Sequence, residues 1–261
     1  MTVAARPTTL APLGPVLDAL TAVGARYPVH GLAPELTVDD LDGWTPATAL
    51  LTNPSDPLDQ LLWAAQRRWH AAPHVAAALA WKSYVYWVAL PAVLGYATAR
   101  RVPLLDAAHV AVRYASHQPF LQLGLSCPTV LVLPNDPLAA SPPPGVCVVP
   151  DNAALLAGLR DSLLDGHLLP LADRIHDRVR VGRRTLLGSL ASGVGHALSR
   201  LGEALQVSTL DTATDLLSTW DVADLVELTE QPGCGLDVQR RTCCLAFATP
   251  QPRICAGCCI R

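Results

Sequence analysis

PHVAAALAWKSYVYWVALPAVL, residues 73 to 94, decides the fold class. Proline opens the stretch, as it does in the first turn of a helix, where its missing N–H has no partner to lose. From there the residues are apolar on nearly every side. A surface helix keeps a polar face, so a helix apolar all round belongs in the middle of a protein. The most apolar part, Ser83 to Ala97, is shorter than the ~20 residues that cross a bilayer. It also contains Pro91 and follows Lys82 directly. A buried core helix is expected, and no transmembrane segment. Trp81, Tyr84 and Trp87 recur every third residue along it. Core packing is their first role, and lining a ligand pocket is the functional alternative.

Before this helix, Asp56-Pro57 marks another start, and Leu58, Leu61, Leu62, Ala65 and Trp69 follow at helical spacing. After it the rhythm changes. Val110, Val112 and Tyr114 alternate with smaller or polar residues. PFLQLGL (119–125), TVLVL (129–133) and GVCVV (145–149) are short, partly β-branched and bounded by turn residues. These runs predict a small antiparallel sheet, with 133–145 as a hairpin connection and Cys127 and Cys147 as small buried apolar residues. From Asp151, an N-cap, the chain turns helical again, with a stop at Gly166, a restart at Pro170 and an end at Gly182. Leu187, Leu190, Val194, Leu198, Leu201 and Leu205 then step by three and four along an amphipathic helix. A short helix is expected over 221–228, broken by Gln231-Pro232-Gly233. The sum is an α+β protein, predominantly helical, with a small antiparallel sheet in the middle. A core over 1–233 is followed by a cysteine-bearing segment, 234–261, packed on it.

Composition narrows the function. Apolar residues make up 51 % and charged residues 16 %, a globular balance. The net charge is −3 with no polybasic run, which argues against nucleic acid and anionic lipid as partners. Prolines 7, 12 and 15 and Asp18 break up the N-terminus as an export signal, so the cytoplasm is the expected compartment. Clustered thiols in a reducing compartment are metal or redox ligands before they are disulfides. No G-x-G-x-x-G follows a strand and there is no P-loop; GSLASGVG (188–195) lies inside the amphipathic helix.

The chain ends in RRTCCLAFATPQPRICAGCCIR, residues 240 to 261. Cys255-Ala-Gly-Cys258 is a chelating knuckle: two intervening residues let both sulfurs face one centre. Pro250 and Pro252 turn the loop LAFATPQPRI, whose apolar arms Leu245-Phe247 and Ile254 can pack together. That returns Cys243 and Cys244 to the knuckle. Adjacent side chains diverge, so two successive cysteines suit a two-iron cluster better than one zinc ion, though zinc and a redox dithiol remain open. Cys259 is a surplus thiol and an alternative final ligand. Arg240, Arg241 and Arg253 flank the ligands, either to offset cluster charge or as a solvated edge. The run Arg174, Arg178, Arg180, Arg183 and Arg184 is a solvated face paired with Asp173 and Asp177, or a site for an anionic ligand. His70 and His74, with Pro73 between them, make a weak metal pair, and His196 has no visible partner.

Arg240-Arg241-Thr242-Cys243-Cys244-Leu245 followed by Cys255-x-x-Cys258 resembles the C-terminal signature of the FhuF-like ferric-siderophore reductases, Cys-Cys-x10-Cys-x2-Cys. The resemblance covers about the last 22 residues. It implies a [2Fe–2S] cluster held by Cys243, Cys244, Cys255 and Cys258, with no catalytic residue separate from it. It also implies a ferric siderophore of hydroxamate type as acceptor, with Trp81, Tyr84, Arg183, Arg240 and Arg241 as candidate contacts. An external donor, a ferredoxin or a flavin reductase, would supply electrons, and transient contact with a siderophore importer is expected. The alternative is a zinc-stabilised or cluster-bearing siderophore-binding accessory protein without turnover.

Overall fold

A computed structural model describes residues 8–115, 117–231, 235–255 and 257–260. Helix α1 (Gly14–Gly24) leads into strand β1 (Leu32–Thr37), the short β2 (Thr45–Pro46) and α2 (Ala47–Leu51). Helix α3 (Asp56–Trp69) starts where Ser55 accepts a hydrogen bond from the Leu58 N–H. Asp56 and Asp59 in its first turn and Arg67 and Arg68 in its last complement the helix dipole. Helix α4 (Pro73–Ala99) carries the opening stretch and runs on past it. Packing on every side outweighs the backbone bond that Pro91 cannot donate.

All four expected strand runs are strands, but they divide between two sheets. They are β4 (Val110–Tyr114), β5 (Leu121–Leu125), β6 (Val130–Val132) and β7 (Val146–Val148). The pair β4–β5 is antiparallel, with Val112 opposite Leu123, in a sheet ordered β1-β5-β4-β2. In that sheet β1 runs parallel to β5. The second sheet is ordered β3-β6-β7, with β3 at Val102–Pro103, and there β6 and β7 are parallel. A hairpin cannot join parallel strands, so 133–145 is a crossover and not the expected hairpin.

Asp151 caps α5 (Asn152–Leu159) by accepting from the Ala154 N–H. Gly166 does not stop the helix. The backbone continues through it as π-helical turns (Arg160–Leu168) into α6 (Leu169–Val179). The stop comes at Arg180, in the left-handed conformation, and Gly182 precedes α7 (Arg183–Leu205). After α8 (Leu210–Thr219) the expected helix over 221–228 shrinks to one 3-10 turn, Ala223–Leu225. The chain then extends as β8 (Val226–Gln231), antiparallel to β9 (Gly235–Arg240). The stretch Val226-Glu-Leu-Thr-Glu has period two, the strand signal that was missed. Cys234, in the connection between these strands, lies outside the described residues.

Helix α4 sits at the centre, with α1, α3 and α7 against it. Among the described residues only α4 is long and apolar enough to cross a membrane, and 78 % of its most apolar window is buried inside the protein. Trp81 is 1 % exposed and donates its indole N–H to the Leu186 carbonyl at 2.8 Å. Tyr84 is equally enclosed, its hydroxyl 2.7 Å from His167 Nε2, while His167 Nδ1 lies 2.7 Å from the Leu105 carbonyl. A carbonyl only accepts, so Nδ1 carries the proton and Nε2 accepts from Tyr84. Burial pulls the His167 pKa down to about 4, so the ring is neutral.

Candidate metal centre and adjoining cavity

The cysteine segment is seated by α7. Its run of small residues, 188–195, is the floor on which β9 and the following turn lie. A Cβ built on Gly188 would stand 1.8 Å from Thr242 Oγ1, so only glycine admits this approach. Arg240 fixes the seat from above. It is 3 % exposed and donates to Ser192 Oγ at 2.7 Å, to Ser189 Oγ at 3.2 Å and to the Thr242 carbonyl at 3.1 Å.

The loop between the cysteine pairs closes, as its turn prolines predict. The Arg253 N–H donates to the Ala246 carbonyl at 3.2 Å, and the Thr249 hydroxyl donates to the carbonyls of Ala246 and Gln251. Closure is by hydrogen bonds and not by the apolar arms, because Phe247 and Ile254 are 44 % and 59 % exposed. The knuckle is pinned to β9. The Arg240 N–H donates to the Gly257 carbonyl at 2.9 Å, and Gln239 Nε2 to the Cys258 carbonyl at 2.9 Å. A Cβ on Gly257 would lie 1.6 Å from the Val238 carbonyl oxygen, so this contact also requires glycine.

The thiols meet across the loop. Cys244 Sγ lies 3.8 Å from Cys255 Sγ, while Cys243 is near enough to Cys259 to help raise its thiol. The adjacent cysteines thus face different partners, as diverging neighbours must. Cys258 is buried, close enough for its charge to act on both Cys255 and Cys259. Two thiolates about 2.3 Å from one tetrahedral metal stand about 3.8 Å apart, which the Cys244–Cys255 separation matches. Among the described residues no three His, Cys, Asp or Glu side chains are arranged around a single ion.

The electrostatics suit an anionic group. Lys82 Nζ is 4.0 Å from Cys244 Sγ, and neither Lys82 nor Arg240 forms an ion pair with a carboxylate among the described residues. Burial pushes the Cys244 thiol up, but Lys82, the Ala246 N–H and Arg240 together bring it below its ordinary value. Burial raises the Cys255 thiol; Lys82 opposes, and the Cys244 sulfur beside it adds to the rise. The Leu245 N–H also donates to Cys243 Sγ at 3.3 Å. Cations and N–H donors directed at sulfur, without counter-ions, are what a thiolate-bound cluster requires. The residues present therefore fit such a group.

Beside the thiols opens a cavity of about 960 Å³, with Cys255 in its wall. That is at the upper end of the ~300–1,000 Å³ that hold small-molecule ligands. The chain matches no protein-family model and no curated protein.

The structure sorts the remaining candidates. Trp81 and Tyr84 are in the core and do not line the cavity; Trp87, the third of that series, does. Arg183 is exposed and paired with Asp173 at 2.5 Å, away from the cavity lining. Arg241 faces Glu227 at 3.4 Å on the surface. Arg240 is buried and near enough to Cys244 for its charge to act on it. Cys127 and Cys147 are exposed, not buried as expected, since one lies in a turn and the other on an outer strand. His70 and His196 line the cavity, while His74 is exposed outside its lining. Sequence reasoning passed over Arg68, Lys82 and Arg200 as cavity residues. Lys82, a lone charge on an otherwise apolar helix, was the signal available.

Proposed function

We propose that this chain is a cytoplasmic [2Fe–2S] ferric-siderophore reductase of the FhuF-like kind. The observation that carries this is the clustering of Cys243, Cys244, Cys255, Cys258 and Cys259, with Cys255 in the wall of a ligand-sized cavity, beside two cations that lack carboxylate partners among the described residues. When bound, the cluster supplies a one-electron couple that an external ferredoxin or flavin reductase refills. The acceptor, siderophore-bound Fe³⁺, takes that electron and becomes Fe²⁺. Hard oxygen donors hold Fe²⁺ far less tightly, so the metal is released. Lys82 and Arg240 stabilise added negative charge at the sulfurs, the loop N–H groups hold the sulfurs in place, and the cavity seats the chelate beside them.

Five thiols serve four ligand positions. Cys244 and Cys255 form one edge; Cys243 forms the other with either Cys258 or Cys259. Single Cys→Ser variants read by iron content decide between the last two. The test of the whole reading is anaerobic purification. About two irons and two labile sulfides per chain, with a reduced-state paramagnetic signal, are expected. A colourless protein with one stoichiometric zinc overturns the reading in favour of a structural staple. A cluster that a ferric siderophore cannot reoxidise overturns turnover and leaves binding.

A further inference from the structure

The cavity has a charge that the thiols alone do not explain. Arg68 and Lys82 enter from α3 and α4, Arg200 from α7 and Arg253 from the loop between the cysteines. No Asp or Glu lines it among the described residues. Arg68 and Arg253 form no ion pair or side-chain hydrogen bond among those residues. Arg200 lies over the rings of Tyr27 and Tyr86, 5.0 Å and 5.3 Å from their centroids, and donates to the Tyr86 hydroxyl at 2.6 Å. Two carboxylates act on residues of the cavity wall. Glu203 is engaged by the Tyr27 hydroxyl, and Asp237 acts on His196; neither lines the cavity. The local field is positive: burial, followed by Lys82, Arg200 and Arg240, holds the His196 pKa down to about 4.

We infer that this cavity takes a ferric chelate of net negative charge, with carboxylate or catecholate groups at its periphery, and discriminates against neutral hydroxamate chelates. The inference rests on the reductase reading and refines its substrate. Unpaired guanidinium groups are matched by carboxylate and similar paired oxygen donors, and an uncharged chelate would leave them without partners. Reduction strengthens the match. Converting chelated Fe³⁺ to Fe²⁺ by one electron from the cluster adds one negative charge to the bound chelate. Arg68, Arg200 and Arg253 in the cavity wall stabilise that added charge on the chelate, whereas Lys82, 4.0 Å from Cys244 Sγ, stabilises it on the cluster before transfer. Aromatic side chains, Trp69 and Trp87 among them, supply apolar wall between the charges.

Gallium(III) chelates test this, because they match the ferric complexes in charge and shape but cannot be reduced. Binding is then read apart from turnover, by quenching of Trp69 and Trp87 fluorescence and by calorimetry. Three hexadentate probes are compared on the cluster-loaded protein: a citrate-type polycarboxylate, a tricatecholate and a neutral trihydroxamate. At least one anionic probe is expected to bind tenfold or more tighter than the neutral one, with an affinity that falls as salt rises. Which anionic probe wins identifies the donor class. The double substitution Arg68→Gln and Arg253→Gln removes two cations that support no other contact. It is expected to weaken the anionic probe by roughly 10- to 100-fold, the loss that charge-assisted hydrogen bonds imply, and to leave the neutral probe unchanged. Equal affinity for neutral and anionic probes, or an anionic affinity untouched by the double substitution, overturns the inference. Reduction of a ferric trihydroxamate without anionic binding also overturns it while sparing the reductase reading. Anionic binding with no reduction of the matching ferric chelate does the reverse.

Discussion

Removing the charge of Lys82 is the sharpest test of how this protein would set its potential. The ammonium stands 4.0 Å from Cys244 Sγ and has no carboxylate to satisfy among the described residues. At that separation a unit charge acts with about 4 kcal/mol at an effective dielectric constant near 20. Lys82 is only partly buried, so solvent and salt screen the interaction to roughly 1–2 kcal/mol. For a one-electron couple, ~59 mV corresponds to a tenfold change, about 1.4 kcal/mol. Lys82→Met is therefore expected to lower the midpoint potential by about 40–90 mV. The sign follows from charge: the reduced state carries one more negative charge and loses more when the cation goes. Lys82→Arg should retain most of the wild-type potential, and the Met shift should shrink as salt rises. A mediator titration followed by the paramagnetic signal of the reduced protein reads the midpoint directly. An unchanged or raised midpoint in Lys82→Met, in protein with full iron content, refutes the argument that Lys82 tunes the thiolate site.

Other substitutions probe the seat and the core. Gly257→Ala places a methyl 1.6 Å from the Val238 carbonyl, so the knuckle must leave β9. Iron content is expected to collapse while the circular dichroism of the helices persists. Arg240→Met deletes three buried hydrogen bonds and is expected to cost roughly 2–4 kcal/mol, a fall in Tm of about 5–10 °C by calorimetry. His167 is neutral in the fold, with its pKa depressed from 6.5 to about 4. The unfolded chain binds more protons in that window, so stability is lost as pH falls from 6.5 towards 4, by about 3 kcal/mol from this residue. His196 acts in the same direction. Denaturant midpoints at pH 7 and pH 4.5 check this, and His167→Gln should flatten part of the difference.

The helical core was legible because its signals are local. Pro73, the all-round apolar stretch and the leucine spacing of α7 each state a helix and its burial without reference to anything distant. Strands were legible as segments and not as partners. Val130 and Val146 read as strand residues, yet their parallel pairing depends on a crossover whose path no local pattern encodes. Gly166 was misread as a stop because a π-helical stretch keeps its backbone hydrogen-bonded across the glycine. Trp81 and Tyr84 were rightly weighed as core, whereas the cavity is built by residues from five separate segments of the chain.

By itself the sequence determined the helix-dominated α+β class, the central helix and which short stretch concentrates the thiols, since each is written in composition, period or spacing. Only the tertiary structure decided how those thiols face one another. Backbone contacts at Gly188 and Gly257 fold the tail so that Cys244 meets Cys255 and Cys243 meets Cys259. It alone brought Arg68, Lys82, Arg200 and Arg253 around one cavity. Charge complementarity belongs to distances in space, and residues on separate elements carry no mark in the sequence that they will share a wall.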